Sequence, residues 1–219
     1  VPSCIRDCSG IKIFGKRIKS LLFTTDVAII RNTNADAIIA VYPFTPQPLI
    51  TAALVMAADV PVFCGVGGGI TQGKRVVNLA LDAEFKGAMG VVVNSPTSNE
   101  VVSKINETID IPLIVTVVSI HENIRERIEA GATILNVSGG KNTPEIVKKI
   151  KNLKALNARG LFTHLATADE KDKTAALRQI AKYDAFDDAL KKEGISFEIK
   201  HVSNSAAIID MPQANHGMV

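Results

Sequence analysis

The residues able to do chemistry fall mostly at the ends of short apolar runs. Gly65-Val66-Gly67-Gly68-Gly69 stands between one such run and a helix-like stretch. Glycines there permit positive φ and let backbone N–H groups approach an anion, aided by the following helix N-terminus. The dinucleotide spacing G-x-G-x-x-G fails at Ile70. Gly68 to Arg75 nearly reproduces a Walker loop, with Gly73-Lys74 in place. Arg75, however, takes the position of the magnesium-binding Ser/Thr. A ligand-free turn and an anion cradle at Gly67 and Gly68 both remain open. Asn136-Val137-Ser138-Gly139-Gly140-Lys141 is a second glycine turn, and Asn204-Ser205 follows the last apolar run. Ser205 offers a hydroxyl and the next turn offers N–H donors. Gly139, Gly140, Asn204 and Ser205 are therefore candidate phosphate contacts, with a plain helix cap as the rival reading of Asn204-Ser205.

Proton chemistry has fewer candidates. His164 ends an apolar run and suits an acid or base, or a structural histidine bonded to nearby backbone. Asp26, Asn94 and Asn136 also fall at run ends; Asp26 is a candidate general base, while Asn94-Ser95-Pro96 also reads as a turn. His121-Glu122-Asn123-Ile124-Arg125 lacks the second His of a zinc helix and reads as a solvated helix start. His201 and His216 show no ligand spacing with it. Cys64 reads as a buried apolar thiol. Cys4 and Cys8 have no second pair, so no metal site is expected. Asp187-Asp188 with Lys191-Lys192 reads as a charged outer face.

The elements that must position these residues alternate along the chain. Strands are predicted at Ser20–Thr24, Ala37–Tyr42, Pro61–Cys64, Gly90–Asn94, Pro112–Val117, Thr133–Val137, Gly160–His164 and Glu198–Val202. Several are continuously apolar, as parallel strands covered on both faces are. Helices are predicted at Gln47–Ala58, Lys74–Lys86, Ser98–Thr108, His121–Ala130, Thr143–Asn152 and Asp172–Glu193. Thr143-Pro144-Glu145 has the cap, Pro and early acid of a helix start, and Gly131 and Gly194 stand where helices stop. Eight alternating strands fit an α/β (βα)8 TIM barrel over residues 1–219 as a single domain, with a doubly wound sheet as the alternative. The stretch after the eighth strand is short for a last helix, so that helix is expected to be truncated and dimerisation is favoured. In such barrels active sites lie at the C-terminal strand ends, with phosphate beside the last two strands.

Composition narrows the classes. The chain has 219 residues, 47% of them hydrophobic and 21% charged, an ordinary globular balance. The formal net charge is +3 with no continuous basic stripe, so no nucleic-acid partner is expected. No apolar run is long enough to span a bilayer, so no membrane partner is expected. No secretory signal is visible at Val1-Pro2-Ser3-Cys4, and Cys 3 argues against a disulfide framework, so a cytoplasmic setting is expected.

Two resemblances divide the chain. Lys19–Asp26, Ala40-Val41-Tyr42-Pro43-Phe44-Thr45-Pro46-Gln47, Val62–Gly69 and Ile134–Thr143 make residues 12–152 resemble an uncharacterised bacterial TIM-barrel family labelled "hydrolase". Gly160-Leu161-Phe162-Thr163-His164-Leu165-Ala166-Thr167-Ala168-Asp169 and His201-Val202-Ser203-Asn204-Ser205-Ala206-Ala207 make residues 156–219 resemble the barrel domain of alanine racemase. That family uses pyridoxal phosphate. The resemblance implies that Asn204-Ser205 faces the cofactor phosphate and that His164 lies beside its ring. The family's Schiff-base lysine segment, Lys-Ala-x-Ala-Tyr-Gly in type, does not occur here, and Asp26 follows the first strand instead. The family's Arg beyond Gly-Met-Val and its β-domain are not found either, so racemisation of that kind is not expected. Six βα units from one barrel plus two strands from another, joined near 152–158, make eight. The resulting expectation is a barrel binding a small phosphorylated molecule at its C-terminal strand ends, with hydrolase, lyase or isomerase chemistry through Asp26, Asn94 or His164. Its rivals are a catalytically silent recombined or engineered scaffold, and a residual pyridoxal-phosphate binder without the lysine.

Overall fold

A computed structural model describes residues 10–138, 140–153 and 160–216. Gly139, Cys4, Cys8 and most of the expected junction at 152–158 lie outside the described residues. Inter-residue contacts divide the chain into two compact units, one of residues 21–146 and one that joins residues 147–216 to the 10–20 segment.

The larger unit is a run of strand–helix repeats. Its strands are β3 (Leu21–Phe23), β4 (Ala37–Ala40), β5 (Val62–Gly67), β6 (Gly90–Val93), β7 (Leu113–Val117) and β8 (Ile134–Val137). They form one sheet in the order β3-β4-β5-β6-β7-β8, every neighbouring pair parallel. The helices that follow them in turn are α1 (Val27–Asn32), α2 (Pro48–Ala57), α3 (Lys74–Phe85), α4 (Asn99–Asn106), α5 (Ile124–Glu129) and α6 (Thr143–Lys151). A doubly wound sheet reverses its strand order at a switch point. Here each strand pairs with the next throughout, which is barrel-type winding. The chain has an α/β fold of partial (βα)8-barrel type.

The strands are apolar on both faces because both faces are covered. Ile38 and Ala40, Val62, Cys64 and Val66, Val91 and Val93, and Leu113 and Val115 share one cluster with helical residues Leu54, Val76, Ala80, Ala83, Val102 and Ile105. Successive strand residues point to opposite faces. The alternate set, Ile39, Phe63, Val92 and Ile114, is buried as well. Two turns depend on glycine. Gly131 ends α5 at φ +106, and a Cβ there would fall 2.3 Å from the Asn106 side chain. Gly68, at φ +95, is described with the site below.

The smaller unit begins with a hairpin of β1 (Ile11–Ile13) and β2 (Lys16–Ile18). It continues with β9 (Gly160–Phe162), α7 (Thr174–Lys192), β10 (Ile199–His201), α8 (Ser205–Asp210) and a 3-10 turn at Pro212–Ala214. Strands β9 and β10 are parallel, in the register Gly160↔Ile199 to Phe162↔His201. Leu161, Leu165, Ala176, Ile180, Tyr183, Leu190, Phe197, Val202 and Met211 form its core. The Tyr183 hydroxyl donates to Leu161 O at 2.8 Å, and burial pushes its ionisation up.

All eight predicted strands and six predicted helices correspond to observed elements. The hairpin, α1 and the short α8 lie outside those ranges. Val27-Ala28-Ile29-Ile30 shows no helical period over so short a span, and its start rests on Asp26 capping Ala28 and Ile29. The hairpin turn is Phe14-Gly15, without the Asn-Gly or Asp-Gly signal of a tight turn. Among the described residues no helix is long and apolar enough to cross a membrane.

Candidate functional site

Parallel pairing of β9 and β10 puts the residues that follow them at one C-terminal edge. After β9 come Thr163, His164 and Leu165; after β10 come Val202, Ser203, Asn204 and Ser205. Thr163 N donates to His201 O at 3.0 Å, extending the pairing beyond the strands. Asn204 joins the two loops: its Nδ2 donates to Leu165 O at 2.7 Å. Its Oδ1 accepts from Ala207 N at 3.1 Å and so caps α8. Ser203, buried, donates from Oγ to Asn215 Oδ1 at 2.9 Å. On the β9 side, Gln179 of α7 holds the loop: its Nε2 donates to Thr163 Oγ1 at 3.0 Å and to His164 O. The His164 residue is exposed, and its carbonyl accepts from Gln179 Nε2.

The resemblance to the racemase barrel implies a cofactor phosphate beside Asn204-Ser205. The Asn204 cap takes Ala207 N, and helical geometry leaves the N–H groups of Ser205 and Ala206 without intrahelical acceptors. That donor set matches a phosphate. Of the lysines nearby in sequence, Lys200 pairs with Asp187 at 2.7 Å, and Lys173 donates to Ala168 O and to Asp210. The side chain of Ser205 lies outside the described residues.

The remaining predicted residues belong to the other unit. Asp26 is a cap, its Oδ1 accepting from Ala28 N at 2.8 Å and Ile29 N at 3.1 Å. Gly67, Gly68 and Asn94 are brought together at the ends of β5 and β6. Asn94 N donates to Gly67 O at 3.0 Å, and a Cβ on Gly68 would meet Asn94 Cβ at 2.5 Å. The turn then closes with Gly68 N donating to Thr71 O at 3.0 Å. A Cβ on Gly67 would likewise meet Val76 Cγ2 at 2.5 Å, so close packing accounts for both glycines. Asn136 Nδ2 donates to Thr116 Oγ1 at 3.4 Å. Gly140 opens the 3-10 turn Gly140–Asn142 at φ +52, and Gly139 lies outside the described residues. Cys64 is buried on β5, and burial pushes its thiol up to about 12. Among the described residues no three His, Cys, Asp or Glu side chains gather as a metal site.

One polar centre escaped the sequence. Ser95, Thr97, Asn99, Glu122 and Arg127 line a cleft of about 250 Å³ at the C-terminal ends of β6 and β7. Arg127 is buried and donates to Ser95 O at 2.8 Å, to Thr97 O, to Asn99 Oδ1 at 3.0 Å and to Glu122 Oε2 at 3.1 Å. Glu122 Oε1 accepts from Ser95 Oγ at 2.8 Å, Val118 N at 2.9 Å and Ser119 N at 3.1 Å. Burial pushes the Glu122 carboxyl up. The Val118 N–H, Ser95 hydroxyl, Arg127 guanidinium and Ser119 N–H together outweigh it and hold the group below the usual range. His121 is exposed, as a solvated helix start should be. Glu122 and Arg127 face inward instead, five residues apart across a cap that no helical period reveals. Both ions are answered by protein groups, so the cluster clamps two loops.

Six consecutive βα units thus define an α/β protein of partial (βα)8-barrel type. For its C-terminal part the comparison is more particular: residues 138–219 match the family described as alanine racemase, N-terminal domain. The alanine racemase of Methanococcus maripaludis is 39% identical over 99 residues, 45% of this chain and 26% of that protein. That of Clostridium perfringens (strain ATCC 13124) is 48% identical over 67 residues, 31% of this chain and 17% of that protein. Dihydrodipicolinate synthase from Bacillus clausii shares the fold alone, at a TM-score of 0.51 and 14% identity over 82% of this chain and 60% of that one. The C-terminal part is alanine-racemase-like, and the likeness spans a minor share of those relatives.

Proposed function

We propose that this chain binds a small phosphorylated ligand at the C-terminal edge of β9 and β10, through the N–H groups that open α8 and the Ser205 hydroxyl, with His164 beside it. The observation that carries this reading is the in-register pairing of β9 with β10, which together with the Asn204–Leu165 hydrogen bond brings the two loops to one edge. The family match over residues 138–219 supports it and makes pyridoxal phosphate the first ligand to try. The family's Schiff-base lysine segment does not occur in the sequence, so binding is reversible and racemisation does not follow. The resemblance of residues 12–152 to a "hydrolase"-labelled barrel family makes a second source the proposed origin of the other six units.

A silent scaffold is the second reading, favoured by the caps: Asp26 and Asn204 spend their carboxylate and amide oxygens on helix starts. A thermal-shift titration with inorganic phosphate and with pyridoxal phosphate, on the parent and on Ser205→Ala, separates the two. Ligand at a hundred times its Kd stabilises by about 2.7 kcal/mol, on the order of 5–10 °C for a chain of this length. The expected result is a rise in the parent that Ser205→Ala loses, with any pyridoxal absorbance removed by desalting. A melt indifferent to both ligands would overturn the phosphate reading, in favour of a silent scaffold or a site whose ligand lacks phosphate.

A further inference from the structure

Helix α2 is apolar on its outward side as well as its inward one. Thr51 and Leu54 are buried, and Ile50, Val55 and Ala57 pack against the core, which accounts for the inward side. Leu49, Ala53 and Met56 follow one another at i, i+4 and i+7 along the opposite stripe and are exposed, Leu49 to 79% and Met56 to 84%. The end of α3 lies against α2, where a Cβ on Gly87 would fall 3.8 Å from Val55 Cγ1, and it adds Phe85, 79% exposed. Charge is missing from the whole stretch: between Asp36 and Asp59 the sequence has no Asp, Glu, Lys, Arg or His. The exposed sides of other helices differ, α4 showing Glu100 and Lys104, and α5 showing Arg125, Glu126 and Glu129. An exposed apolar patch with a polar margin marks an interaction surface.

We propose that two copies of the chain associate through this face, α2 packing against α2 of the second copy about a two-fold axis near Ala53. The charge pattern selects that partner. In an isologous contact each residue near the axis meets its own counterpart, so any charge there would face a like charge. A face without charge is what self-association requires. Charges at its margin are already neutralised within each copy: Asp59 pairs with Arg31, and Asp82, three residues before Phe85, pairs with Lys86. Ala53 is small and stands between Leu49 and Met56, so two helices can approach closely there while the longer side chains interlock on either side. A lipid surface is met instead by an apolar stripe bordered by Lys and Arg, and α2 contains neither. The expectation of dimerisation from a short last helix concerns another part of the chain.

The test is sedimentation equilibrium of the full chain from about 1 μM to about 1 mM, a span that covers tight and weak self-association. A monomer–dimer equilibrium is expected. Met56→Lys should raise the dimer Kd about ten-fold, and so should Leu49→Lys. Ala53→Lys and Ala53→Glu should each leave the chain monomeric. An equimolar mixture of those two should dimerise, because opposite charges then face each other at the axis. All three positions are exposed on a helix, so each variant measured dilute should melt within about 2 °C of the parent. A dilute melting temperature lowered further in all of them would assign the face to folding and overturn the proposal. A parent that stays monomeric throughout, association that the Ala53 variants leave unchanged, or a mixed sample that remains monomeric would each overturn it too. Co-sedimentation of a monomeric parent with phosphatidylcholine vesicles, lost in Met56→Lys, would replace the second copy with a lipid surface.

Discussion

Replacing Arg127 with Met probes the polar clamp most directly. Met approximates the apolar stem of the side chain and removes its charge, stranding Glu122 and the carbonyls of Ser95 and Thr97. The side chains of Arg127 and Glu122 are only 9% and 14% exposed, so the pair is a buried one. Breaking a buried pair by removing one partner costs about 3–5 kcal/mol. Glu122 keeps Ser95 Oγ, Val118 N and Ser119 N, which places the loss at the lower end, about 3 kcal/mol. For a chain of this length that lowers Tm by roughly 6–12 °C. The assay is urea unfolding with a double-mutant cycle through Glu122→Gln. The double variant should recover part of the loss, because the stranded carboxylate is gone. The pH dependence follows from the depressed Glu122 carboxyl. Its contribution is present above the unfolded value of about 4.3 and is lost as pH falls through the folded value. Arg127→Met should therefore flatten the acid limb of the stability curve. A Tm loss under about 2 °C, or strict additivity in the cycle, would refute the clamp as a coupled unit.

Other outcomes follow from single positions. Gly68→Ala combines a left-handed φ with a clash against Asn94 and should cost about 3 kcal/mol in urea unfolding, whereas Gly69→Ala, strained but in open space, should cost about 1 kcal/mol. Equal losses would show that the Asn94 approach does not matter. Lys200→Met leaves Asp187, already without a partner at Oδ1, with Lys191 alone, and should cost about 2 kcal/mol. Burial pushes the Asp187 carboxyl up, but hydrogen bonds from Lys191 and Lys200 hold it below its usual range. This contribution too is lost as pH falls through the folded value, so the cost of Lys200→Met should shrink in acid. Cys64, with its thiol pushed up to about 12, should resist alkylation at pH 8 in the native protein and label readily in urea, as read by peptide mapping. Equal labelling in both conditions would contradict its burial.

The strand–helix alternation was legible because it is local. Continuous apolar runs such as Ile38-Ile39-Ala40-Val41 signal strands covered on both faces, and Gly131 and Gly194 mark helix ends through backbone freedom that the residue type itself carries. His164 and Asn204 could be named as strand-end residues for the same reason. Tertiary structure decided what pairs with what. Sequential parallel order excludes a doubly wound sheet, and no composition or period encodes it. Asp187 was expected on a charged outer face because its i,i+4 lysine is visible along the helix. It is buried because Lys200, on a strand thirteen residues away, reaches it as well. Glu122 reads in sequence as part of a solvated helix start, and only the fold pairs it with the buried Arg127. The Phe14 turn carries no hairpin signal in its residue types. Local chemistry is written in neighbouring residues; the desolvation and pairing of charges depend on distant ones, and only the folded chain brings those together.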